Sequence, residues 1–115
     1  MSSEESKAIV RRWHEGVFNQ KRLSTIDELI DENYANHTAN IVGLADARER
    51  FSELVREHPD VHLVTEDTIA EGDKVATRWN WYEKDKLIAI GMTIHRVSGG
   101  KIVEDWFCSM QMTTG

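Results

Sequence analysis

The spacing of apolar residues changes once along this chain, at Pro59, and that change sets the fold class. Before it, Ile9, Val10, Trp13, Val17 and Phe18 recur at helical spacing. After it, Val61, Leu63, Thr65, Asp67 and Ile69 alternate with polar neighbours, the period of a half-buried strand. Four runs, 61–69, 72–82, 87–97 and 101–111, read as consecutive antiparallel strands joined by short turns. Upstream, Ser2 and Glu5 form a capping-box pattern at the start of a helix over 4–19. Ser24 caps a short second helix over 25–32, and Leu44, Ala47, Phe51, Leu54 and Val55 mark a third that ends at His58-Pro59. The polar stretch 33–43 reads as irregular. Helices followed by sequential hairpins predict an α+β domain with the helices packed on one face of the sheet.

A chain of 115 residues has room for one core, so one domain over 1–115 is expected. The net charge of −6, with its basic residues scattered, argues against a nucleic-acid surface. No apolar run approaches the roughly 20 residues that span a bilayer, and no membrane partner is expected. The acidic start, Met1 to Glu5, has no signal-peptide character, and Cys108 has no partner for an internal disulfide. Both features point to the cytoplasm. Five histidines occur without HxH, HExxH or His/Cys ligand spacing, so neither metal nor other cofactor is expected. Gly99-Gly100 reads as a hairpin turn, since no helix follows to make a phosphate loop.

The chemistry concentrates in the last hairpin, with His95 on one strand and Asp105 on the next. An imidazole and a carboxylate on one apolar face can act as a proton-transfer pair. Their register depends on the turn. A three-residue turn opposes Thr93 to Asp105 and puts His95 one diagonal away, whereas a two-residue turn brings His95 opposite Glu104. The first is preferred because it gathers small and polar side chains on one face. Arg78 points either into the cavity, to hold an enolate or carboxylate, or into an ion pair with Asp105 or Glu104. The competing view of Asp105 is a rim carboxylate paired with Arg78 or Arg96. Alternation places Trp79, Trp81 and Trp106, with Ile90, Ile94 and Met110, on the opposite face. That composition fits a homodimer surface, unless the register is slipped by one and the tryptophans line the pocket. Cys108 falls on the tryptophan face and reads as packing.

Several phrases resemble the SnoaL-like polyketide cyclase family. They are Trp13-His14-Glu15-Gly16-Val17-Phe18-Asn19-Gln20, Ile26-Asp27-Glu28-Leu29, Tyr34-Ala35-Asn36-His37, Glu71 to Ala76 with Arg78-Trp79, His95-Arg96-Val97 and Gly100 to Trp106. The resemblance implies a nuclear transport factor two-like cone: a strongly curved antiparallel sheet of four or more strands wrapped around three N-terminal helices, with a central pocket. It also implies aldol ring closure by acid/base side chains, without metal or covalent intermediate, with Asp105 matching the family's late-strand carboxylate. Relatives of that fold include ketosteroid isomerase and binding modules without catalysis, so fold alone does not give function. The short connection Glu83–Lys86 departs from the longer Gly/Pro-rich one often found in the family, which leaves the pocket mouth more open.

On this frame Asp105 is expected to be the base, His95 its partner, and Arg78 or Thr93 the stabiliser of an enolate oxygen. Trp13, Tyr34 and Phe51 face the cavity from the helices, Phe107 faces it from the sheet, and His37 sits at the pocket mouth. The ligand is a small hydrophobic molecule, a carbonyl compound if the protein is a cyclase, isomerase or lyase. The alternative is a non-catalytic ligand-binding or dimerisation module of the same fold.

Overall fold

The computed structural model describes residues 2–112. The element order is α1 (Ser3–Trp13), a π-helical turn (His14–Asn19), α2 (Ser24–Leu29), β1 (Ile30–Asn36), β2 (Ile41–Val42), α3 (Leu44–Glu57), β3 (Val61–Glu71), β4 (Lys74–Glu83), β5 (Lys86–Ser98) and β6 (Lys101–Gln111). The helices and the long hairpin strands match the sequence pattern. No helix among the described residues is long and apolar enough to cross a membrane.

The capping box forms at the start of α1. Ser2 Oγ accepts from the Glu5 N–H at 3.1 Å, and the Glu5 carboxylate accepts from the Ser2 N–H at 3.0 Å. The apolar stripe of α1 continues into the π-turn and buries Ile9, Val10, Trp13, Val17 and Phe18 against the sheet. The Asn19 amide pairs with the Leu63 backbone in both directions, at 2.7 and 2.9 Å. Lys21 Nζ donates to the carbonyls of Phe18 and Val61, at 2.8 Å each. These bonds lock the π-turn onto β3, which is an edge strand.

The six strands run in the order β2-β1-β6-β5-β4-β3. Two differences from the sequence reading matter for the site. First, residues 30–36 are not helix end and loop but strand β1, which pairs parallel with β6 and sets Asn36 beside Asp105. Its pattern is short and polar because only Ile30, Tyr34 and Asn36 turn inward. Second, the last hairpin adopts neither expected register. Gly99 and Gly100 both have positive φ, as a two-residue primed turn requires, so Ser98 opposes Lys101. A bulge then inserts Val103: Val97 opposes Ile102, but Arg96 opposes Glu104. That extra residue brings His95 directly opposite Asp105 and Thr93 opposite Phe107.

The same register reassigns the tryptophans. Val75, His95 and Asp105 lie abreast across β4, β5 and β6. The face carrying Val75, Thr77, Trp79 and Trp81 is therefore the face of His95 and Asp105, not the outer one. Trp106 stays outside, with the exposed Met92, Ile94 and Met110. The expectation that Trp79 and Trp81 form the outer surface with Trp106 is thus corrected.

Candidate active site

Asp105 is 3% exposed and both of its oxygens are engaged. Oδ1 lies 2.5 Å from His95 Nδ1, and Oδ2 accepts from the Tyr34 hydroxyl at 2.5 Å. The proton directions follow from Asn36. Its Oδ1 accepts the backbone N–H groups of Thr38 and Ala39 at 3.1 and 2.9 Å, which fixes the amide orientation. Asn36 Nδ2 therefore donates to Tyr34 Oη at 3.1 Å, and the Tyr34 hydrogen goes to Asp105. Burial, together with the adjacent Asp105 charge, pushes the Tyr34 hydroxyl well above its ordinary pKa, so it remains a donor. Asp105 accepts twice as a carboxylate, which puts the His95 ring hydrogen on Nδ1. His95 Nε2 is left as a lone-pair nitrogen. It is buried, and it has no hydrogen-bond partner among the described residues.

His95 and Asp105 border a cavity of about 140 Å³. Its walls are mostly aromatic: Trp13, Phe18, Phe51, Trp79, Trp81 and Phe107. The polar members of the lining are His14, Asn36, Thr93, His95 and Asp105, and no Lys or Arg side chain lines it. An uncharged apolar compound with one hydrogen-bonding group matches such walls. Trp79 lies across β5 because its cross-strand neighbour is Gly91, where an added Cβ would overlap the indole ring. Its Nε1 donates to Thr93 Oγ1 at 2.9 Å. Trp13 and Phe51 meet edge to face with centroids 5.0 Å apart.

Of the residues singled out from sequence, Asp105, His95, Thr93, Phe107, Trp13 and Phe51 converge on this cavity. Three do not line it. Tyr34 is fully buried and supports Asp105 from behind. Arg78 lies on the outer face and pairs with Asp67 at 2.7 Å, because the register gives its side of β4 to solvent. His37 stacks on Trp106 at 5.1 Å and bonds Glu104 at 2.8 Å. Neither Arg78 nor Arg96 pairs with Asp105; Arg96 bonds Glu104 and lies 3.7 Å from Asp73. Among the described residues, no group of three His, Cys, Asp or Glu side chains converges as a metal-binding set.

Sequence reasoning missed His14, Asn36, Trp79 and Trp81 as lining residues. His14 had a signal: it follows Trp13 on the apolar face between Val10 and Val17. It is 6% exposed, its Nδ1 lies 3.0 Å from Thr65 Oγ1, and its ring centroid is 5.4 Å from that of His95. Burial first, and then coulombic repulsion from the neighbouring His95 ring if both were protonated, lower its pKa to about 3, so the imidazole is neutral.

N-terminal helices packed on a six-stranded mixed sheet place the chain in the nuclear transport factor two-like class of cone-shaped folds. Within that class the chain belongs to the SnoaL-like polyketide cyclase family, whose sequence profile matches residues 8–114. Solved structures agree on the fold. A nuclear transport factor two-like protein of unknown function from Mesorhizobium loti is 25% identical, with a TM-score of 0.80 and coverage of 94% of this chain and 93% of the other. A candidate polyketide cyclase from Acidithiobacillus ferrooxidans is 22% identical, with a TM-score of 0.79 and coverage of 95% and 91%. A candidate ketosteroid isomerase from Kribbella flavida is 19% identical, with a TM-score of 0.80 and coverage of 98% and 83%. At these identities the last two likenesses speak for the fold alone. Nothing among the curated proteins matches the chain.

Proposed function

We propose that this protein is an acid/base enzyme of the cyclase, isomerase or lyase kind, acting next to the carbonyl of a neutral, hydrophobic compound. The observation that carries the reading is the buried Nε2 of His95, a residue that lines the cavity, without a hydrogen-bond partner among the described residues and with Nδ1 held by Asp105. The roles expected from sequence exchange: His95 is the base, and Asp105 fixes its tautomer and stabilises the imidazolium. His95 Nε2 takes a proton from the carbon beside the carbonyl. The C–H electron pair becomes a C=C bond and the carbonyl π pair moves to oxygen as an enolate. Where the compound has a β,γ double bond, the enolate is a dienolate, and returning the proton to its γ carbon shifts the double bond into conjugation and completes an isomerisation. If the enolate carbon instead attacks a second carbonyl in the same molecule, the alkoxide takes the proton and an aldol ring closure is complete. Such a positioned base contributes about 10²–10⁴-fold.

The test uses cyclohexanone as a one-ring probe, with α-hydrogen exchange in D₂O followed by proton NMR. The wild type should exchange well above buffer, and His95→Gln and Asp105→Asn should each lower the rate by about 10²-fold or more. A wild type no faster than buffer would refute the enzyme reading. One observation favours a second reading, a binding module without turnover. The cavity, at about 140 Å³, is below the ~300–1,000 Å³ of ordinary ligand pockets and near the ~150 Å³ that accommodates benzene. Cyclohexanone would then bind without exchange.

We also propose that two copies pair through the outer sheet face. Ile69, Met92, Ile94 and Met110 are exposed there beside the Arg78–Asp67 pair. A two-fold axis would bury the apolar strip and let each guanidinium face the partner's carboxylate.

A further inference from the structure

We infer that His14 is a second catalytic residue: its Nε2–H bonds the carbonyl oxygen on which negative charge develops as His95 takes the neighbouring proton. The inference rests on the proposed carbonyl chemistry and deepens it by assigning the electrophile. Four observations lead to it. His14 lines the same cavity as His95, and their ring centroids are 5.4 Å apart. Two rings that close can both reach one carbonyl group and its adjacent carbon lying alongside them in the cavity. His14 is held in place by the π-helical turn, an insertion often found where a helix carries a functional side chain. Its Nδ1 is taken by the Thr65 hydroxyl, and that is the one hydrogen bond of the ring among the described residues. When Thr65 donates to Nδ1, the ring hydrogen sits on Nε2.

The fourth observation concerns charge. His14 stays neutral to about pH 3, because it is buried and because two protonated rings this close would repel each other. During the reaction His95 becomes imidazolium. A neutral donor beside it adds no like-charge repulsion. The other candidate donors are less free. The Asn36 amide is committed to Tyr34, and Arg78, which the sequence offered for this role, is on the other face. Thr93 is the remaining competitor; its oxygen accepts from Trp79, but its hydroxyl hydrogen is unassigned.

Three measurements decide the matter. Nitrogen-15 NMR of the unliganded protein at pH 6 should show His14 as the neutral Nε2–H tautomer; the Nδ1–H tautomer would overturn the inference with no reference to any substrate. Infrared spectra of bound cyclohexanone should show the carbonyl stretch at lower frequency in the wild type than in His14→Phe, with partial recovery in His14→Gln, whose amide also donates. Exchange of the α-hydrogens should fall about 10²-fold in His14→Phe and less in His14→Gln. If Thr93→Val moves the carbonyl stretch and His14→Phe does not, Thr93 is the donor. The inference then fails, while loss of exchange in His95→Gln still upholds the base. If the wild type does not exchange cyclohexanone at all, the proposed chemistry and this inference fall together.

Discussion

Acid should destabilise this protein through His14 more than through any exposed group. In the unfolded chain His14 titrates near 6.5; in the folded protein burial and His95 hold its pKa at about 3. Between those values the unfolded chain binds a proton that the folded protein refuses, so stability rises with pH across the window. The contribution is whole above about 6.5 and is lost as the pH falls toward 3. Each pH unit in the window costs about 1 kcal/mol or slightly more, which makes about 3 kcal/mol by pH 4. Against a typical stability of ~5–15 kcal/mol that loss is large. His14 is almost wholly inside, so solvent screening takes little from the figure. Urea unfolding of wild type and His14→Phe at pH 7, 6, 5 and 4 isolates the effect. Exposed carboxylates held low by their partners, such as Asp27 by Arg48 and Glu104 by His37, contribute equally to both proteins. The wild type should lose about 1 kcal/mol or slightly more per unit relative to the variant below pH 6.5. Parallel pH curves for the two proteins would refute the reasoning.

Tyr34→Phe removes the hydroxyl that donates to Asp105 and leaves Oδ2 buried without a partner; urea unfolding should show a loss of about 1–3 kcal/mol. Gly91→Ala puts a methyl group into the Trp79 ring, so the indole must swing and its bond to Thr93 break; tryptophan fluorescence should shift, and stability should fall by about 1–3 kcal/mol. Sedimentation velocity at micromolar concentration should give a dimer, and Met92→Glu on the outer face should give a monomer. A wild-type monomer would leave the exposed Ile69, Met92, Ile94 and Met110 without the proposed cover.

The change of period at Pro59 was enough to read the helices and the long hairpins, because each buries a face over ten or more residues. Strand β1 was not legible: its inward residues Ile30, Tyr34 and Asn36 mix apolar and polar types, and its partner β6 lies some seventy residues away. The pairing of His95 with Asp105 depended on a bulge at Val103, and nothing in the local alternation announces an inserted residue. Missing it gave a register that left His95 on the diagonal. The placement of Trp79 and Trp81 failed for a related reason. Alternation sorts the residues of one strand into two sets, but only the cross-strand register says which set faces the helices. Asp105 and His95 were visible because a carboxylate and an imidazole stood out on an otherwise apolar face. Their division of labour was not visible, since it follows from the Asn36–Tyr34–Asp105 chain of hydrogen bonds.

The ring hydrogen of His95 can be located directly by nitrogen-15 NMR at neutral pH. Hydrogen on Nδ1, with Nε2 bare and moving to the other tautomer in Asp105→Asn, is the expected result. Hydrogen on Nε2 in the wild type would leave the cavity without its base.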